Sequence, residues 1–185
     1  MKPSYDVVDI AGQVRNAHAW CGDVKVVTVD GLAGSGKTTF ASLLAAQLDD
    51  CPVVHLDDIY EGWTQDLNVG LAERVNAWIL MPLRHGIAGM HPVYDWYEGR
   101  FNSWREVPHT EFLVIEGVGA GHPGIALRGA FNIWVETNHE LLYDRVIARD
   151  GERYVEDMRA WQLIEQVFFN NYKVRENADL IIRGD

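Results

Sequence analysis

Positive charge is scarce in this 185-residue chain: 16 Lys and Arg stand against 27 Asp and Glu, a net charge of −11. No run of Lys and Arg interrupts that balance, so the electrostatic footprint of a nucleic-acid binder is missing. Cysteine is scarcer still. Cys21 and Cys51 make no disulfide framework, and no CxxC or Cys/His cluster suggests zinc. Two reduced, buried thiols in a cytoplasmic protein are the expectation. No apolar run approaches the roughly 20 residues that a membrane-spanning helix needs, and the opening MKPSYDVVDI has no signal-peptide core. Repeats, low-complexity tracts and linkers are also absent, so residues 1–185 read as one domain.

What is present is an ordinary globular composition, 48% apolar and 23% charged, enriched in Trp and Tyr with seven of each. Short apolar strands are expected at 24–30, 52–56, 111–117, 131–136 and 178–184. Helices are expected at 5–20 (ended by Gly22), 37–48, 69–80 (ended or kinked by Pro82), 138–149 and 153–175. Residues 84–110 have weak periodicity and read as an excursion over one end of the sheet; the substrate-side segment as a whole runs from 57 to 110. Strands that alternate with helices and read as continuous apolar runs imply an α/β fold, a parallel sheet covered on both faces. Ligands of such sheets sit beyond the carboxyl ends of the strands.

The first strand end carries GLAGSGKT, Gly31 to Thr38, which fits the phosphate-binding loop G-x-x-x-x-G-K-[ST]. Glycines let backbone N–H groups curl around an anion, and the following helix presents its positive end to it. Gly31, Ala33, Gly34, Ser35, Gly36, Lys37, Thr38 and Thr39 are the expected nucleotide contacts. Lys37 reaches the β/γ-phosphates and the Thr38 hydroxyl ligates Mg²⁺. The second strand ends in HLDDIYEGW, where either Asp57 or Asp58 could accept a proton from an attacking hydroxyl. Alternation along a strand predicts that the two point differently. The third ends in VIEGVGAGH, with Glu116 placed to hold Mg²⁺ or its water. The segment 91–108 interleaves aromatic and polar groups, a composition suited to a flat or sugar-like ligand. Arg145, Arg149 and Arg153, four apart, could line one helix face and close over a triphosphate; a solvated helix face is the alternative.

Taken together, GLAGSGKTT, LDDIY, VYDW, IEGVG and RVIARDGER resemble the uridine kinase-like branch of the P-loop nucleoside and metabolite kinases. The resemblance implies a three-layer P-loop NTPase fold with five parallel strands in the order 2-3-1-4-5. It implies ATP and Mg²⁺ as cofactors and a small hydroxyl-bearing metabolite as acceptor. Asp57 matches the catalytic base, with Asp58 and Tyr60 beside it on the substrate side. YDW is similar to the Tyr-Asp-Phe of the substrate lobe, which assigns Tyr94 and Asp95, with Trp96 and Arg100 nearby, to the acceptor. RVIARD is similar to the lid helix within 145–160, which makes Arg149 and Arg153 phosphate clamps. The family's histidine and arginine after Tyr-Asp have no counterpart in YDWYEGRF, which leaves the acceptor open.

Two other readings compete. A GTPase-like switch would carry an Asn/Thr-Lys-x-Asp segment for guanine, and none is present; nor is an ABC-type signature. A degenerate kinase that binds nucleotide without transfer is opposed by the intact Lys37, Thr38, Asp57 and Glu116.

Overall fold

The computed structural model describes residues 5–63, 67, 69–126, 129–138, 142 and 155–183. Five parallel strands form the main sheet: β1 (Lys25–Asp30), β2 (Val53–His55), β5 (Phe112–Glu116), β6 (Phe131–Glu136) and β7 (Leu180–Arg183), in the order β2-β5-β1-β6-β7. Counting these five along the chain gives 2-3-1-4-5, as the resemblance implies. Two further strands, β3 (Gly89–Asp95) and β4 (Arg100–Val107), pair antiparallel as a separate hairpin.

The continuous apolar runs divide by alternation. Val27 and Val29 of β1 with Phe112 and Val114 of β5 face one side, where they pack with Ile10, Val14, Phe40 and Leu44. Val26, Leu113 and Ile115 face the other, packing with Leu56, Leu71, Ile79, Trp161 and Phe168. The first layer is α1 (Val7–Asn16) and α2 (Lys37–Gln47). The second is α3 (Val69–Val75), α4 (Met81–Arg84) and α5 (Val155–Tyr172). Both faces of the sheet are therefore buried, which is why its strands show no polar alternation.

Three expectations change. The first helix is capped by Asp6, whose carboxylate accepts from the Val8 amide at 2.9 Å, but it ends at Asn16. Gly22 lies beyond it in a turn between Cys21 and Val24, with φ +67° and no room for a Cβ against the Arg84 carbonyl. Pro82 does not end its helix. A single π-helical turn, Asn76–Leu80, joins α3 to α4, and the Met81 amide reaches back five residues to the Asn76 carbonyl. The widened turn accommodates a proline that lacks an N–H and crowds the preceding turn. The excursion over 84–110 contains a regular element that weak periodicity did not mark, the β3–β4 hairpin. Its strands lie off the main sheet and β4 is largely exposed, so no apolar stripe marks it. Most of the helix expected over 138–149, and the arginines Arg145, Arg149 and Arg153, lie outside the described residues.

The π turn is tied down by Asn76, whose side-chain amide donates to the Ala72 carbonyl at 2.8 Å and to the Gly124 carbonyl at 2.6 Å. Asn76→Ala should lower unfolding free energy by about 1–2 kcal/mol, with Gly124 left short of a donor; urea denaturation measures it.

Candidate active site

The loop after β1 is built by its glycines. Gly31, Gly34 and Gly36 take φ of +147°, +81° and +96°, a region closed to most side chains. At Gly31 a Cβ would stand 2.4 Å from the Val135 carbonyl oxygen. Gly36 precedes α2 and no side chain caps the helix, so its first amides face the loop. Lys37 is buried and donates to the Leu32 carbonyl at 2.9 Å. Thr38 and Thr39 are exposed on the first turn of α2. Ser35 is buried, and its hydroxyl has no partner among the described residues.

Two buried acids that the motif reading overlooked hold this loop. Asp30, the last residue of β1, accepts from the amides of Gly31 (2.7 Å), Gly119 (3.1 Å) and Gly121 (2.8 Å). Burial pushes its pKa up to about 6, opposed by those amides and by Lys37. Glu165 comes from α5 and accepts at one oxygen from the Ala33 amide and from the Trp161 indole, each at 2.9 Å. Burial lifts it to about 7, against the pull of Lys37. Asp30 had a legible position, directly ahead of the glycine motif. Glu165 had none: it looks like any polar helix residue.

Glu116 ends β5 and is 4% exposed. Its Oε1 accepts from the Thr38 hydroxyl at 3.2 Å and sits 2.5 Å from His55 Nδ1. His55 is its direct neighbour in the β2–β5 register, and the hydrogen bond to Glu116 raises the histidine's pKa. A Thr hydroxyl beside an acid is a donor pair that suits Mg²⁺, which keeps waters and phosphate oxygens in its shell. The loop amides, Lys37 and the unpartnered Ser35 hydroxyl likewise suit a nucleotide's phosphates.

Beyond β2 the chain enters a 3-10 turn, Leu56–Asp58. Asp57 and Asp58 diverge because of this turn, not by strand alternation, since β2 has already ended. Asp58 is ion-paired with Arg105 of β4, whereas Asp57 is exposed. The Trp96 indole donates to the Asp57 carbonyl at 3.1 Å, so the hairpin grips the turn that bears the acid. Trp96 also packs edge-on against Trp63 and Tyr94, with ring centroids 5.2 and 5.4 Å apart.

Three substrate-side candidates have partners within the fold. Tyr60 is 1% exposed and donates its hydroxyl to the Val118 carbonyl at 2.5 Å. Burial raises its phenol pKa well above the ordinary value, so it is a core residue that braces the loop after β5. Asp95 spends its carboxylate inside the hairpin, accepting from the amides of Glu98 (2.9 Å) and Tyr97 (2.8 Å) and from Asn102 (2.7 Å). These bonds, the Glu98 amide first, hold its pKa below the usual range. Arg100 is paired with Glu98 on the exposed tip. Asp95 and Arg100 thus build the turn; Tyr94 and Trp96 belong to the aromatic wall beside Asp57.

Asp30→Asn tests the first buried acid. The Asn amide must face one of the three N–H groups, a pH-independent cost of about 1–3 kcal/mol. In addition, Asp30 in the folded chain binds its proton more tightly than its ordinary value of 3.8, so its contribution to stability falls as pH rises from about 4 to about 6 and is flat above. The wild-type advantage over Asp30→Asn should therefore shrink across that window and stay level beyond it. Paired denaturant titrations from pH 4 to 8 measure this; a difference that is constant across the series contradicts the raised pKa.

No family model and no curated protein matches the sequence. Solved structures match its fold. Two are provisionally named kinases. One, a uridine kinase from Bacillus stearothermophilus, has a TM-score of 0.63 at 20% identity over 95% of this chain and 97% of its own. The other, a fructose transport system kinase from Silicibacter sp. TM1040, has a TM-score of 0.66 at 19% identity over 96% and 99%. The D-glycerate 3-kinase of Cryptococcus neoformans var. grubii follows at 0.52 and 14%, over 87% and 83%. The likeness is one of fold, and in fold this chain is an α/β P-loop protein with a five-stranded parallel sheet.

Proposed function

We propose that this protein is a Mg²⁺- and ATP-dependent kinase that transfers the γ-phosphoryl group to a hydroxyl of a nucleoside-like or other small metabolite. One observation carries the reading. Lys37 and Thr38 after β1, Asp57 after β2 and Glu116 at the end of β5 stand at the carboxyl ends of three adjacent parallel strands, with Thr38 and Glu116 3.2 Å apart. The solved structures of like fold bear kinase names, which agrees with it.

In this reading the loop amides and Lys37 hold the phosphates, and Thr38 with Glu116 hold the metal. Mg²⁺, when bound, neutralises charge on the phosphate oxygens. Asp57, exposed in the 3-10 turn, orients the acceptor hydroxyl and takes its proton, and Asp58 pairs with Arg105 beside it. Trp96 fixes the backbone of Asp57 and, with Tyr94, offers flat apolar surface to the acceptor. His55 orients Glu116. Arg145, Arg149 and Arg153 are assigned to the triphosphate on sequence alone. The excess of acidic residues fits a small-molecule substrate and no nucleic acid, and no described helix is long and apolar enough to cross a membrane.

The test is an ADP-release screen with ATP–Mg²⁺ over nucleosides, vitamins, sugars and hydroxy acids. Once an acceptor is found, Asp57→Ala should keep nucleotide affinity and lose transfer by about 10²–10⁴-fold, and Lys37→Ala should lose nucleotide binding. Normal turnover by Asp57→Ala removes the assignment of the base. A preference for GTP with no acceptor-dependent ADP release would favour a switch.

A further inference from the structure

Glu165 reaches the phosphate loop out of a helix that follows β6 in the chain. It is 1% exposed, so its carboxylate depends on the groups around it. Those are the Ala33 amide, the Trp161 indole N–H one helical turn earlier, and Lys37, which favours its charged form. Both hydrogen bonds end on the same oxygen. From Trp161 the contact chain goes on: its ring packs 5.2 Å from Tyr60 and 6.3 Å from Trp63, Trp63 packs 5.2 Å from Trp96, and Trp96 donates to the Asp57 carbonyl. A single buried oxygen thus joins the loop that would hold phosphate to the aromatic wall beside the acceptor acid.

We propose that Glu165 is a positioning residue: it anchors the phosphate loop through the Ala33 amide and, through Trp161, transmits the loop's conformation to the Trp63–Trp96 wall that holds Asp57. The proposal rests on the kinase reading for what the loop binds, and it adds how the two halves of the site are kept in register. Packed rings and a shared hydrogen-bond acceptor form a contiguous physical path of the kind that carries coupling between sites. The buried position argues against a solvated role; burial, with Asp30 adding to it, raises the pKa of Glu165 against the pull of its three partners.

Two variants separate anchoring from charge. Glu165→Gln keeps an oxygen able to accept both bonds and removes a negative charge near Lys37. Glu165→Ala removes the charge and both bonds. If Glu165 were only a counterion of Lys37, both variants would bind anionic nucleotide more tightly. Anchoring predicts opposite signs: ADP–Mg²⁺ affinity by titration calorimetry is unchanged or tighter in Glu165→Gln, and weaker by about tenfold in Glu165→Ala. Thermal melts and circular dichroism confirm that each variant is folded, and Glu165→Gln carries the test should Glu165→Ala not fold: affinity well below wild type in a folded Glu165→Gln overturns the proposal.

Labelling with 5-fluorotryptophan reads the coupling directly, with resonances assigned by single Trp→Phe replacements. Saturating ADP–Mg²⁺ should shift both Trp161 and Trp96 in the wild type and in Glu165→Gln. In Glu165→Ala, Trp96 should stay in place at saturation. A Trp96 signal that ignores nucleotide in the wild type, or moves equally in Glu165→Ala, overturns the coupling. Failure of the wild type to bind any adenine nucleotide would remove the kinase reading and this proposal with it. Tight binding by wild type and Glu165→Ala alike would remove this proposal alone.

Discussion

The carboxylate of Asp30 is the group on which the rest of the site depends. It closes the central strand and binds amides of two loops at once, Gly31 in the phosphate loop and Gly119 and Gly121 after β5. Those two loops adjoin Lys37 with Thr38 and Glu116, so one buried acid sets their relative position. An isolated carboxylate in such a place would be costly. Three amides and the Lys37 ammonium offset the desolvation in part. The parallel sheet supplies the rest, since β1 lies between β5 and β6 and brings their carboxyl ends together.

On the acceptor side, the segment 57–110 is rich in acids and aromatics, and several of its polar side chains serve the fold. Asp95 closes the hairpin turn, Asp58 pairs with Arg105 and Tyr60 braces the Val118 carbonyl. Asp57 is exposed at the strand end, and its backbone is held by Trp96. The hairpin therefore both shapes the acceptor side and fixes the turn that bears the acid.

Legibility in the sequence followed the range of the interactions. The five parallel strands and α2 were readable because each is a local apolar or helical pattern. The strand order came from a family resemblance, not from periodicity. The hairpin escaped notice because β4 is exposed along most of its length, so nothing in it alternates. The π turn was invisible because Pro82 is normally a helix stop, and only the bonds of Asn76 to Ala72 and Gly124 show how the backbone accommodates it. Likewise, YDW is a motif by likeness, yet Tyr94 and Trp96 join the aromatic wall while Asp95 turns back on its own chain.

By itself the sequence determined the phosphate loop, the α/β class and the acids at the strand ends, because glycine conformation, strand burial and helix N-termini act over a few residues. Tertiary structure alone decided which acids are spoken for, that His55 meets Glu116, and that Glu165, 132 residues from Ala33, holds the loop. Hydrogen bonds between distant segments leave no period or spacing in the chain; they exist only once the sheet has brought their partners together.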